Sequence, residues 1–191
     1  MAVLPTETGY MVAAVATSTV AVDKVFKAKG RQAANVMHVA CSSLEMAATA
    51  GELNDRARRL LGELTPGPIT VIVNKTPLLP DRLVTLNGTV GIRIPDHPAT
   101  LQILSSVGAP LTATSLNVSG SSSAGIGKFD LHAMDWPQDE LVYVLVDDER
   151  VVYDKPSSLV RVTGEMIEVL RPGPVPESQI QRVAGLAGSL K

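Results

Sequence analysis

Short apolar runs alternate with amphipathic stretches along the chain, and that alternation predicts a mixed α/β fold. Ala2–Leu4 reads as a strand closed by Pro5, and the small apolar stretch Val12–Ala16 reads as buried. Thr19 is placed to cap a helix running to about Ala28. Val22, Val25 and Phe26 share one face of it, Lys24 and Lys27 the other, and Gly30 ends it. Ser42 and Glu45 have capping-box spacing and predict a second helix, interrupted at Gly51. A third helix carries Leu53, Ala57, Leu60, Leu61 and Leu64 on one stripe, with Arg56, Arg58 and Arg59 largely outside it; Pro66-Gly67-Pro68 stops it.

The remainder reads mostly as strands: Ile69–Val73, Val84–Leu86, Val90–Ile94, Leu111–Ser115, Val142–Val146, Val151–Tyr153, Leu159–Val162 and Ile167–Leu170. Pro98 opens a helix to about Val107, and Pro176–Ala184 reads as a last one. The serine- and glycine-rich stretch Asn117–Lys128 is the best candidate for a mobile loop, expected to close over substrate. Strands and helices do not alternate strictly, so the pattern predicts an α/β single domain on an open mixed sheet with flanking helices, not a doubly wound parallel one. The domain is expected over 1–184, with 185–191 a frayed tail.

Composition narrows the function. At 191 residues and 45% hydrophobic, the chain is long and apolar enough for one packed core. The net charge of −2 excludes a protein that coats nucleic acid or membrane by bulk charge. One Trp, three Tyr and two Phe are too few for a base-stacking platform. A single cysteine, Cys41, excludes an internal disulfide framework and a Cys-rich zinc site. Met1–Leu4 is too short and lacks the basic start of a signal peptide, and no apolar run reaches the roughly 20 residues of a membrane span. A cytoplasmic protein without membrane contact is expected.

The familiar phosphate loop, dinucleotide turn and nucleophile elbow are absent. His38, His97 and His132 lack metal-ligand spacing and read as ordinary surface or packed histidines, so no metal site is expected from protein clusters. Five polar segments remain, each beside an apolar element: Pro5–Tyr10; Lys29-Gly30-Arg31 with Asn35; Thr89–Pro95; Thr114–Asn117; and Pro156-Ser157-Ser158 with Leu170–Gly173. Taken singly, each reads as a helix end, a half-exposed strand or a turn. Taken together, cationic side chains and hydroxyls recur where strands and helices end, which suits phosphates and carboxylates. Such a site positions anionic reactants and stabilises developing charge, without a nucleophilic triad.

In order and spacing these segments resemble the YrdC-like family of threonylcarbamoyl-AMP synthases. That family shows P-T-[DE]-T-x-Y-G, K-G-R-P with N-P-L following, G-P-[LI]-T, T-V-G-[VI]-R-x-P, S-x-N, and S-T-V-V-D before L-R-P-G. The match runs from about Leu4 to Val175 and includes Gly67-Pro68-Ile69-Thr70. The resemblance implies a twisted open α/β sheet with a concave basic cleft. It implies condensation of L-threonine, bicarbonate and ATP, with Mg²⁺, to threonylcarbamoyl-adenylate and pyrophosphate. Partner proteins would carry the group to adenosine 37 of tRNA, and the basic cleft that the resemblance implies is an expected contact for RNA or tRNA.

By the same resemblance, Lys29 and Arg31 are the catalytic pair on the phosphates and the carboxylated amino acid. Arg31, Asn35, Thr89, Ser115, Asn117, Ser123 and Arg171 fall at nucleotide positions; Thr8, Arg93, Ala113 and Ser157 fall at threonine positions. The chain departs from the pattern at several points. Met11 replaces a glycine, Gln32 a proline, Val36-Met37 Pro-Leu, and Arg161 an aspartate. Leu116 replaces a small residue. Ala40 stands where a histidine is frequent, with His38 two residues earlier. The chain also begins almost at the motif strand, where family members usually carry a helix and most of a strand. Met11 and Leu116 would narrow the cleft if both faced it. Altered amino-acid specificity, or a diverged paralogue that binds nucleotide or RNA without this catalysis, stands as the alternative. A carbamoyl-transfer domain using carbamoyl phosphate is disfavoured by the short chain. Retention of the basic and hydroxyl positions favours the active enzyme.

Overall fold

The structure, a computed structural model, describes residues 1–28, 37–83, 88–116 and 143–185. Apolar and β-branched runs form β1 (Ala2–Thr6), β2 (Gly9–Ala13), β3 (His38–Ala40), β4 (Ile69–Asn74), β5 (Thr89–Arg93), β6 (Leu111–Ser115), β7 (Tyr143–Val144), β8 (Ser158–Thr163) and β9 (Met166–Arg171). The helices are α1 (Thr19–Ala28), α2 (Leu44–Ala50), α3 (Asp55–Leu64), α4 (Pro98–Val107) and α5 (Glu177–Val183). Among the described residues the strands join one nine-stranded sheet in the order β7-β1-β2-β6-β3-β5-β4-β8-β9. The pairs β1–β7, β3–β5 and β4–β8 are parallel and the others antiparallel, so the sheet is mixed, as the element pattern predicts.

Alternation along the strands divides the apolar residues between two faces. Val39, Val71, Ile92 and Val160 meet Val22, Val25 and Phe26 of α1, Ala47 and Ala50 of α2, Leu60 and Leu61 of α3, and Ile180 of α5 in the main core. Full burial of each large apolar side chain contributes about 1.5–3 kcal/mol. The other face holds a smaller cluster of Leu4, Met11, Ala13, Ala40, Leu111 and Ala113 beneath Leu104 of α4. Only α4 covers that face among the described residues. Arg93, beside Ala40 in the β3–β5 register, emerges on it, and this is where the site lies.

Several local expectations are corrected. Ser18, not Thr19, caps α1: its Oγ accepts from the Ala21 N–H at 3.3 Å, and Thr19 is already helical. Ser43, not Ser42, caps α2, accepting from the Met46 N–H at 3.2 Å, while Ser42 donates to the Met46 sulfur. Pro5 does not end β1 but pairs with Tyr10 inside it. The outer neighbour β7 reaches only Ala2 and Val3, so no donor is needed at Pro5, an edge position that proline tolerates. Val151–Tyr153 forms no strand; the Val151 N–H bonds the Asp148 carbonyl, and those of Val152 and Tyr153 bond the hairpin between β1 and β2 instead of a ladder. β7 is shorter than expected. The expected strand at Val84–Leu86, the stop at Gly30, the loop Asn117–Lys128 and residues 186–191 of the tail lie outside the described residues.

Candidate functional site

Three strands separate β1 from β5 in the sheet, yet the tip of the β1–β2 hairpin touches β5. Arg93 Nη2 donates to Thr8 Oγ1 at 3.2 Å and to Glu7 Oε1 at 2.7 Å. A right-handed twist of about 20–25° per strand accumulates across the sheet and carries the tip over its face. The tip closes through Gly9 at φ 116°, a conformation open to glycine without strain. Thr6 Oγ1 donates to the Gly9 carbonyl at 2.7 Å. Glu7 is 2% exposed, and its second oxygen accepts the Asp96 N–H at 2.9 Å. Both carboxylate oxygens are therefore engaged, and the buried charge of Arg93 is paired.

A second guanidinium enters from the end of β9. Arg171 donates through Nε at 3.2 Å and Nη2 at 2.9 Å to the Ser157 carbonyl. Ser157 Oγ lies 2.8 Å from Thr70 Oγ1 of β4. The turn beyond Arg171 packs so closely on the backbone of Pro156 and Ser158 that a Cβ at Gly173 would overlap it. Burial, and then the charge of Arg93, pull the Arg171 guanidinium below its ordinary range. It stays cationic all the same, since arginine does not deprotonate in proteins. Glu7 is the one carboxylate that hydrogen-bonds either arginine among the described residues.

These groups surround a cavity of about 190 Å³. Of the residues singled out by sequence, it brings together Thr8, Arg93, Ala113, Ser115, Ser157 and Arg171. Met11, Met37 and His38 line it too. A Cβ at Gly91 would overlap the His38 imidazole, so glycine lets the ring lie across β5. Arg93 Nε and Thr114 Oγ1 are buried at the cavity with no hydrogen-bond partner among the described residues. Thr89 opens β5 opposite Asn74 and does not line it. Ala40 packs in the small cluster under α4. Of the two bulky departures only Met11 reaches the cavity; Leu116 packs in the main core on the other face. Arg161 is exposed and pairs with Glu168 at 3.0 Å. Lys29, Arg31, Asn35, Asn117 and Ser123 lie outside the described residues.

Sequence reasoning singled out the segments that hold Glu7, Thr70 and Thr114 but gave these three residues no role in the site. Glu7 carried a signal, an acid inside an otherwise apolar and hydroxyl strand end, whereas Thr70 and Thr114 look like ordinary strand threonines. It also passed over what holds the hairpin from behind. The Tyr10 hydroxyl donates to Asp148 Oδ1 at 2.6 Å and accepts the Asp147 N–H at 3.0 Å. Burial, and then the bond to Asp148, raise the Tyr10 phenol beyond its ordinary range, so it remains a donor. The N–H groups of Val152 and Tyr153 both reach the Glu7 carbonyl at 3.1 Å. His97 is buried and structural: Nδ1 caps α4 through the Thr100 N–H at 3.3 Å, and Nε2 lies 3.2 Å from Asp147 Oδ2. Among the described residues no cluster of acids, histidines or cysteines could hold a metal ion, and no helix is long and apolar enough to cross a membrane.

Comparison with known proteins identifies the family and the fold. The family model Sua5_yciO_yrdC, described as telomere recombination, matches residues 1–173. The chain is 32% identical over 184 residues to the threonylcarbamoyl-AMP synthase of Bacillus subtilis (strain 168), covering 95% of this chain and 52% of that protein. The crystal structure of P. abyssi Sua5 complexed with L-threonine superposes with a TM-score of 0.82 at 27% identity, covering 96% of this chain and 53% of that one. E. coli YciO shares the fold, with a TM-score of 0.76 at 22% identity over 94% of this chain and 85% of that one. The chain thus spans about half the length of its B. subtilis and P. abyssi relatives.

Proposed function

The chain belongs to the Sua5/YciO/YrdC family, and from that premise we propose that it makes L-threonylcarbamoyladenylate from L-threonine, bicarbonate and ATP, releasing pyrophosphate. One observation carries the reading: two guanidiniums, Arg93 and Arg171, share a small cavity in which Glu7 is the one carboxylate that bonds either of them among the described residues. An α-carboxylate supplies the negative charge this arrangement lacks, and it gives the unpartnered Arg93 Nε an acceptor. Thr8, Ser157 and the backbone at Ala113 complete the amino-acid side of the site. Arg171 stands at its boundary with the nucleotide, which Asn35, Thr89, Ser115, Asn117 and Ser123 are proposed to hold.

In this scheme the amino nitrogen of threonine forms a bond to the bicarbonate carbon, a carbon–oxygen bond breaks, and water leaves with a proton from the nitrogen, giving the carbamate. A carbamate oxygen attacks the α-phosphorus of ATP in line, a bond to phosphorus forms, and the bond to pyrophosphate breaks. Lys29 and Arg31 offset the charge on the phosphates, so the work is mostly positioning and electrostatic. The described residues offer Mg²⁺ no seat at the cavity, since both oxygens of Glu7 are engaged by Arg93 and the Asp96 N–H. The ion is accordingly assigned to the ATP phosphates, as part of the substrate. Transfer of the product to adenosine 37 of tRNA by partner proteins, in the cytoplasm, belongs to the same proposal.

The test is pyrophosphate release by the purified protein. It is expected to require threonine and bicarbonate together, and Lys29→Ala or Arg31→Ala should abolish it. A folded sample with no threonine-dependent release contradicts the proposal.

A further inference from the structure

Met11 is 3% exposed, faces Ser115 across the β2–β6 register and lines the cavity. Arg93, Arg171 and Ser157 line the same cavity, and Ala113 beside Met11 adds a second apolar residue. The Met11 side chain packs with Leu4, Ala13 and Leu104 beneath α4, so it is held from behind and stands as a fixed wall. An amino acid whose carboxylate meets the two guanidiniums lies in the cavity that Met11 lines, so its side chain has Met11 among its neighbours.

We infer that Met11 is a specificity-determining residue, setting the maximum length of the amino-acid side chain that the cavity accepts. The inference rests on the reading of this cavity as an amino-acid site. Each methylene that an apolar pocket gains or excludes changes selectivity by about 10- to 200-fold. The wild-type chain therefore discriminates against an unbranched side chain longer than that of threonine, and shortening Met11 relaxes the discrimination.

The experiment measures kcat/KM for amino-acid-dependent pyrophosphate release with threonine and with methionine, in wild type, Met11→Ala and Met11→Val. Valine shortens the side chain and introduces the β-branch that a strand favours, so it carries the test if alanine unfolds the protein. Wild type is expected to prefer threonine by at least about tenfold, and the variants to raise the methionine-to-threonine ratio by about tenfold or more. Equal use of both amino acids by wild type overturns the inference. So does an unchanged ratio in a folded variant, or a folded variant that loses threonine without gaining methionine. If no amino acid supports release by wild type, the amino-acid reading falls and this inference with it, whereas release with unaltered selectivity overturns this inference alone.

Discussion

Arg93 Nη2 lies 2.7 Å from Glu7 Oε1, an ion pair buried between β5 and a hairpin tip that starts three strands away in the sheet. The contact exists because the sheet twists, and it ties the curvature of the fold to the charge of the site. Glu7 fixes one edge of the guanidinium and leaves Nε for a ligand.

Glu7→Gln keeps the shape of the side chain and removes its charge. Arg93 is then buried without a counter-ion, a change that costs about 3–5 kcal/mol. Urea denaturation should show a midpoint lowered accordingly with an unchanged slope. Millimolar L-threonine should recover part of the loss, because its carboxylate replaces the missing charge; no recovery would separate Arg93 from the proposed ligand.

Arg171→Lys retains the charge but not the fork that grips the Ser157 carbonyl through Nε and Nη2. Hydrogen bonds to charged groups are worth about 1.5–3 kcal/mol, so KM for threonine should rise about 10- to 100-fold. Steady-state kinetics at saturating ATP checks this, and an unchanged KM would place Arg171 away from the amino acid.

Tyr10→Phe removes the hydroxyl that joins Asp148 to the Asp147 N–H. It should lower stability by about 1–3 kcal/mol in urea titration, with faster proteolysis within 147–153, the segment that braces Glu7 from behind. Equal cleavage rates would show that Tyr10 does not hold that segment.

Burial pushes the Cys41 thiol up to about 12 from its ordinary value of 9.0. The folded chain keeps a proton that the unfolded chain loses, so the stabilisation is complete below about pH 9 and drains away as pH rises towards 12. The slope is about 1.4 kcal/mol per pH unit in that window. Cys41→Ser should flatten it in pH-dependent urea titrations. A thiol reagent at pH 8 should label native protein only as fast as it unfolds.

Much of this was legible in the chain. The apolar stripes of α1 and α3 and the alternation of β8 and β9 follow from burial on one face, whereas β4, β5 and β6, buried on both faces, were legible as short continuous apolar runs. The errors lie where one neighbouring residue offers the same local chemistry, as Ser18 beside Thr19 and Ser43 beside Ser42. They also lie where tertiary pairing decides, as at Pro5 and Val151–Tyr153. Arg93, Ser157 and Arg171 were visible as polar residues at strand ends. Glu7, Thr70 and Thr114 acquire their meaning only when the twist brings distant strands together. Met11 and Leu116 look alike in the chain, and only the sheet faces separate them.

The most direct measurement is the mass of the product formed from ATP, L-threonine and ¹³C-bicarbonate. The account predicts a threonylcarbamoyl-adenylate one mass unit heavier than the product made with ordinary bicarbonate, absent when any of the three substrates is withheld and absent in Lys29→Ala. Nucleotide binding by a folded protein that yields no labelled adenylate would contradict it and favour a paralogue that binds without this catalysis.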